Sequence, residues 1–427
     1  MKLQRALRIK TFFCTLIPLF LSAFLSVSCK NASKETVVIW TNRSEFVPYS
    51  EVFNTQQNKI KVLIVYKANP ADSLPAVKDE VPPDIVIGSL LRTERKRKQF
   101  RSLSYMFTTG EISESLFYDN LLDSCRKGDT IYQIPVSFNA PAIVFSVDNS
   151  DLIKEDYMLS PDQIQAAGAL YNQKNKNNLY TKMGFAPQWY PEFLYLMAKM
   201  NSGKFAESGN SFSWNNTELN NTVNILRNWT NGANTSAADE KDFAFKYLYT
   251  PPYKQVLSKH CLFAFVTSNK LFSLSEEQLE AVDFRWIHKN NKIPVDDSMV
   301  TLGLYRRAPN KNNAEQFIKW FFTEKAQKAM LEHVREMNLN TSTFGISGGF
   351  STLKNVNERI FPTYYLALLS NIPVGEYLEA PPVLPLRWES LKERVIIPYL
   401  YDAVNSPPGS NIRTIEERIG DWSKQFF

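Results

Sequence analysis

Residues 36–40, TVVIW, form an unbroken β-branched and apolar run without charge, which predicts a buried strand. In SEFVPYSEVFNTQ, Phe46, Val52 and Phe53 then fall on roughly one helical face, and Ser44 stands where an N-cap is expected. KIKVLIVYK (59–67) predicts a second strand and PPDIVIG (82–88) a third, stopped by Gly88. Strand, helix and two strands in this order are the pattern of an α/β fold with a parallel sheet. DTIYQIPVSFNAPAIVFSVD (129–148) is two strand-like runs broken at SFNAP, and VDFRWIH with MVTLGLYRR (299–307) predicts a strand pair returning to the first sheet.

The later chain changes period. Leu219, Val223, Leu226 and Trp229 are spaced along one helical face. Phe317, Trp320 and Phe321 mark a second helix. Thr323 is placed to cap a third that presents Ala326, Met330, His333 and Met337. Ile412, Ile415, Ile419 and Trp422 repeat the spacing near the end. No tandem repeat or long low-complexity segment interrupts the chain.

The first ten residues carry Lys2, Arg5, Arg8 and Lys10 and no acid, and residues 11–28 carry no charge. A basic start, an apolar stretch and small residues before a cut predict a secretory signal. A soluble secreted protein and an uncleaved anchor are the alternatives, the anchor because the run is just long enough to cross a bilayer. LSVSC (25–29) resembles a bacterial lipobox, although the commonest form has Leu one position later. The resemblance implies that residues 1–28 are removed, that Cys29 becomes the acylated first residue, and that residues 29–34 are a tether to the membrane. Four of the 49 Lys+Arg leave with the signal and none of the 43 Asp+Glu does. The remaining chain is therefore near neutral, and its basic balance is no argument for a nucleic-acid partner. Cys125 and Cys261 could pair, but two thiols make no disulfide framework. The three histidines are scattered, with no metal-ligand spacing and no cofactor motif. The basic run RTERKRKQFR (92–101) predicts a solvated helix face, with a docking patch for a membrane partner as the second reading.

Five segments, in order, resemble the extracellular solute-binding proteins of ABC importers, the group that includes maltose-binding protein. They are VVIWTNRSEF, PPDIVIG, GDTIYQIPVSFNAPAIVFSVD, SKHCLFAFVTSN and VTLGLYRRAPNKNNAEQFIKWFFTEKAQKAML. Where the family commonly has Gly-Pro-Trp, this chain has Thr267, Ser268 and Asn269. The resemblance implies an α/β, two-lobed, type II periplasmic-binding-protein-like fold with hinge strands and a central cleft. Residues 35–145 and 286–339 are expected in lobe 1, and 146–285 and 340–427 in lobe 2. It also implies a monomer that captures a solute, best guessed as a sugar or oligosaccharide, and delivers it to ABC permease subunits. No chemistry on the ligand is expected.

Ligands of open α/β sheets bind beyond the carboxyl ends of the strands. That logic selects Thr41, Asn42 and Arg43 after strand one, and Gly88 and Ser89 after strand three; Trp40, at the end of strand one, is a candidate ring with core packing as its alternative. The same logic selects Phe138 and Asn139 where a strand changes lobes. The resemblance adds Thr267 and Ser268. Flat rings give sugars an apolar face while amides and carboxylates take the hydroxyls. Trp189 and Tyr190, in a Pro-bounded loop, and Trp388 complete the expected wall. Asp296-Asp297-Ser298 is a poor acid/base pair, since adjacent carboxylates in a strand point to opposite faces; it predicts a turn, with a contact to a ligand hydroxyl as the second reading. FGISGGF (344–350) predicts a flexible connector between lobes. A surface glycan hydrolase, an adhesin, and binders of polyamines, phosphate esters or ferric ion are the rival functions. TYY (363–365) is read as core.

Overall fold

The structure is a computed structural model that describes residues 35–209, 211–339, 343–407 and 409–425. The expected signal, Cys29 and the tether lie outside the described residues. The chain opens with β1 (Glu35–Thr41), α1 (Phe46–Gln56), β2 (Ile60–Tyr66) and β3 (Ile85–Gly88). β1 pairs parallel with both β2 and β3. Val37, Ile39, Ile85 and Ile87 enter one core cluster, while Val38, Trp40 and Val86 enter another. The sheet is thus covered on both faces, and its strands read as continuous apolar runs for that reason. Ser44 does not cap α1 by its side chain. Its carbonyl accepts from the Val47 N–H at 3.0 Å, and the helix starts at Phe46.

β4 (Ile134–Phe138) belongs to this first sheet, whereas β5 (Pro141–Ser146) is central in a second. The second sheet also contains β6 (Met158–Leu159), β7 (Ala264–Thr267) and β8 (Val282–Ile287). β9 (Val300–Leu304) returns to the first sheet between β3 and β4, and β10 (Phe350–Ser351) closes its edge. Of the expected returning pair, VDFRWI therefore stays in the second sheet and only residues 300–304 come back. The sheet-to-sheet crossings fall at Asn139–Ala140 and between Ile287 and Val300. FGISGGF is not a connector between the sheets. It is buried beside the first: the Gly345 N–H donates to the Tyr365 hydroxyl at 2.9 Å, and Phe350 pairs with Phe138. Gly345 has φ +58°, and a Cβ there would lie 2.3 Å from the Gly349 carbonyl, so only glycine fits.

On the second sheet pack α2 (Pro191–Met200), α3 (Asn216–Ala233) and the short α4 (Pro252–Leu257). On the first sheet, α5 (Lys311–Phe321) stacks Phe321 on Phe46 of α1 with ring centroids 5.5 Å apart. α6 (Glu324–Glu336) is capped by Thr323, as expected, through a bond from the Ala326 N–H at 3.1 Å. Ala326 and Met330 are buried, but His333 pairs with Glu51 at the surface and Met337 is exposed. A last helical run comprises α7 (Trp388–Leu391), a π-helical segment at Lys392–Ile396 and α8 (Ile397–Asn405). The chain then ends its described part with α9 (Ile415–Ser423). Cys125 and Cys261 are buried free thiols.

Candidate ligand cleft

The two crossings meet, and Asn139 holds them. Its amide donates to the Gly348 carbonyl at 2.9 Å and accepts from the Ser268 hydroxyl at 2.6 Å. Its own carbonyl accepts from the Asp296 N–H at 2.8 Å, and the Ala140 N–H donates to the Ser268 Oγ at 3.1 Å. Asn139 thus joins the first crossing to the 344–350 strap and the end of β7 by its side chain, and to the second crossing by its backbone carbonyl. Arg43 lies near the same strap, with its Nη1 3.8 Å from where a Gly348 Cβ would be. The Asn42 Oδ1 and Arg43 Nε are buried without a hydrogen-bond partner.

Beside Asn139 opens a cavity of about 190 Å³. Its walls come from Pro141, from Asp296, Asp297 and Ser298, from Glu192, Tyr195 and Lys199 on α2, from Thr267, Asn269 and Lys270 after β7, and from Lys392. Carboxylates and ammonium groups are therefore interleaved around it. A second cavity of about 310 Å³ shares Glu192, Phe265, Thr267 and Lys270 with the first, and adds Trp189, Tyr190, Pro191 and Tyr253. The pair forms one trough, charged at the crossing and aromatic at the far end.

Asp297 anchors the charged half. It is 7% exposed and accepts from the Tyr195 hydroxyl at 2.5 Å, the Lys199 ammonium at 2.5 Å and the Trp388 indole N–H at 2.8 Å. Burial alone would raise its carboxyl. The Lys199 charge and hydrogen bond, the Tyr195 hydroxyl and Lys392 outweigh that and hold it below the usual carboxylate range. Burial and the adjacent Asp297 push the Tyr195 phenol well up. Burial opposes the charge on Lys392, but Glu192, 3.2 Å away, with Asp296 and Asp297 raises it overall. The aromatic half hangs from Glu240. Trp189 Nε1 donates to its carbonyl at 2.9 Å, and Gln188 Nε2 donates to its carboxylate at 2.6 Å. Among the described residues that carboxylate makes no ion pair, and burial lifts it to about 7 against the hydrogen bonds of Asn234, Gln188 and Thr230.

The structure brings Asn139, Thr267, Trp189 and Tyr190 to the trough, with Ser268 buried directly behind Asn139. Asn42 and Ser89 lie on a separate narrow gap of about 30 Å³, faced by Arg387 and Glu389. There the Ser89 hydroxyl reaches Glu389 at 3.5 Å, and Arg92 donates to the carbonyls of Pro381 and Pro382 at 2.9 and 3.2 Å. Arg92 and the buried Lys96 thus depart from the solvated face expected of that basic run.

Three expected rings are buried and line neither the trough nor the narrow gap. Trp40 is fully buried on the outer side of the first sheet, with Lys67 Nζ 4.3 Å above its ring. Phe138 packs between Tyr118 and Phe350. Trp388 is 1% exposed against Tyr195 and Phe205, and reaches the site only through Asp297. Gly88 closes on Pro70, where a Cβ would come within 3.2 Å. Sequence reasoning missed Glu192, Tyr195, Lys199 and Lys392, and gave Asp297 a ligand contact only as its second reading. The available signal was in PEFLYLMAKM: Glu192, Tyr195 and Lys199 fall on one face of an otherwise apolar helix.

Among the described residues, no helix is long and apolar enough to cross a membrane, and no group of three His, Cys, Asp or Glu could hold a metal ion. No protein-family model matches the sequence, and no curated protein matches it. Solved structures do match. The sugar-binding protein MalE from Xanthomonas citri superposes with a TM-score of 0.66 at 11% identity, over 91% of this chain and 96% of that one. An ABC substrate-binding protein from Listeria monocytogenes in complex with cycloalternan gives 0.59 at 14%, over 92% and 98%. The cyclic α-maltosyl-1,6-maltose binding protein from Arthrobacter globiformis gives 0.58 at 14%, over 92% and 98%. At such identities the likeness is one of fold: the chain has the two-lobed type II periplasmic-binding-protein architecture that these sugar-binding proteins share.

Proposed function

We propose that this protein is the membrane-tethered solute-binding component of an ABC importer, that it captures a neutral oligosaccharide between its lobes, and that it hands it to permease subunits without chemical change. The reading rests most on the composite trough. Its charged half contains three carboxylates, Glu192, Asp296 and Asp297, against three ammonium groups, Lys199, Lys270 and Lys392. Balanced charge suits a hydroxyl-rich, uncharged ligand, which uses both donors and acceptors, better than a polyamine or a phosphate ester. The adjoining aromatic half, with Trp189, Tyr190 and Tyr253, offers rings for sugar faces. Two of the matched proteins, one in complex with cycloalternan and one that binds cyclic α-maltosyl-1,6-maltose, take ligands of this class. The unpartnered Asn42 Oδ1 and Arg43 Nε favour further polar contacts from the first lobe as the halves close. In this reading the first lobe holds β1–β4, β9 and β10, the second holds β5–β8, and the lipobox-like LSVSC supplies the acylated Cys29.

The test is a melting shift across neutral oligosaccharides, polyamines and sugar phosphates. A ligand at a hundred times its Kd stabilises the native state by about 2.7 kcal/mol, which a melting curve resolves. A shift with a neutral oligosaccharide is expected. A shift only with amines or phosphates, or glycan cleavage, overturns the assignment.

A further inference from the structure

An open groove of about 500 Å³ lies at the far end of the first sheet from the trough, lined by Lys98, Arg101, Arg306 and Lys311 with Tyr105 and Tyr132 among its walls. No carboxylate lines it. Glu315, on its flank, pairs with Lys311 at 3.3 Å and accepts from the Tyr105 hydroxyl. Lys98, Arg101 and Arg306 make no ion pair among the described residues, and all three are exposed. The strand geometry fixes where this groove faces. β9 runs antiparallel to β3, so Leu304 and the arginines after it sit beside Ile85, at the amino ends of the parallel strands. The trough sits at their carboxyl ends, beyond Phe138.

The start of the described chain is at the same place. The Asn310 amide donates to the Thr36 carbonyl at 2.8 Å, and the Asn313 amide donates to Glu35. Both asparagines flank Lys311 of the groove. Cys29 precedes Glu35 by six residues in the sequence, a span of at most about 20 Å when fully extended. An acyl anchor at Cys29 would therefore hold this end of the molecule at the bilayer.

We propose that the groove is a second membrane contact, which seats the anionic headgroups of phospholipids on Lys98, Arg101, Arg306 and Lys311. The orientation it would give rests on the lipoprotein reading of Cys29; the headgroup contact itself does not. Guanidinium groups match phosphate oxygens two at a time. Basic groups close to an anionic leaflet add to the hold of acyl chains and are felt only within a Debye length of it. A short tether is what keeps them inside that distance.

The test uses the chain from residue 29 onward carrying Cys29→Ser, which retains every described residue and removes acylation from the measurement. Co-sedimentation is measured with phosphatidylcholine vesicles and with vesicles containing phosphatidylglycerol. Partition onto the anionic vesicles alone, lost in high salt, is expected. The pair Arg101→Gln and Arg306→Gln should lower it about 25-fold, at about fivefold per charge. The pair Lys176→Gln and Lys241→Gln, on the second lobe, should leave it unchanged. Equal partition on both vesicle types, or an equal loss in the two paired variants, overturns the proposal. Retention of polyglutamate without vesicle binding overturns it too, by assigning the groove to an acidic protein. Mass spectrometry of the wild-type N-terminus tests the lipid anchor separately, so that either reading can fail alone.

Discussion

Replacing Asp297 by Ala should destabilise the protein far more than removing both members of its ion pair. The carboxylate accepts from three groups, the Lys199 ammonium, the Tyr195 hydroxyl and the Trp388 indole, and it is almost entirely shielded from water. Removing one partner of a buried pair costs about 3–5 kcal/mol, because the other charge stays behind uncompensated. Lys199 keeps one acceptor, the Val295 carbonyl at 2.6 Å, so the low end of that range applies, about 3 kcal/mol. At about 2–4 °C per kcal/mol for units of lobe size, the melting point should fall by about 6–12 °C. The pair Asp297→Leu with Lys199→Met leaves no charge stranded and should melt much closer to wild type. A double-mutant cycle from thermal or denaturant unfolding measures the difference. The sign with pH also follows. The folded carboxyl lies below its unfolded value, so its stabilisation is present above the ordinary carboxylate range and is lost as pH falls through the folded value. The gap between wild type and Asp297→Asn should close on the acid side. A melting point for Asp297→Ala within about 2 °C of wild type, or losses that simply add in the pair, would refute the reasoning.

Asn139→Ala removes the bonds to Gly348 and Ser268 and should weaken solute binding at least about tenfold by titration calorimetry, with a smaller effect on melting. Glu240 has a folded value raised to about 7, so its contribution is fully present below the unfolded carboxylate range and is lost as pH rises through 7. Wild type should therefore lose up to about 3 kcal/mol relative to Glu240→Gln between pH 4.5 and 8, read as diverging melting points. Gly345→Ala meets the Gly349 carbonyl at 2.3 Å in a left-handed backbone and should lower the melting point or abolish soluble expression. Tyr253→Ala opens the aromatic end of the trough. It should reduce oligosaccharide affinity while leaving unfolding within about 1 kcal/mol of wild type, since the ring is only half-buried.

The strands of the first sheet were legible because burial on both faces removes the need for alternation: TVVIW and DIVIG declare themselves as apolar runs. The same property hid their pairing. VDFRWI is as apolar as VTLGL, and nothing in either run says which sheet it joins. Rings posed the same difficulty, since Trp40 and Trp388 at element ends fit a cleft or a core equally well. Packing against Val38 and Leu91 in one case, and against Tyr195 and Phe205 in the other, decides for the core.

Asp296-Asp297-Ser298 shows what local reasoning can and cannot reach. The turn it predicts is present, closed by the Ser298 N–H to Asp296 Oδ1 at 2.8 Å, but both carboxylates line the same cavity, Asp297 the more deeply buried of the two. What converts Asp297 from a turn residue into the anchor of the charged half is contact with Lys199 and Trp388, each about a hundred residues away in sequence. A charge pattern within α2 hints at one partner, but only the meeting of both crossings supplies the desolvation that makes the pair matter. The charged cavity is thus a property of the junction between the two sheets, and on the proposed function a substitution there should alter ligand binding and unfolding together, whereas one at the strand cores should alter unfolding alone.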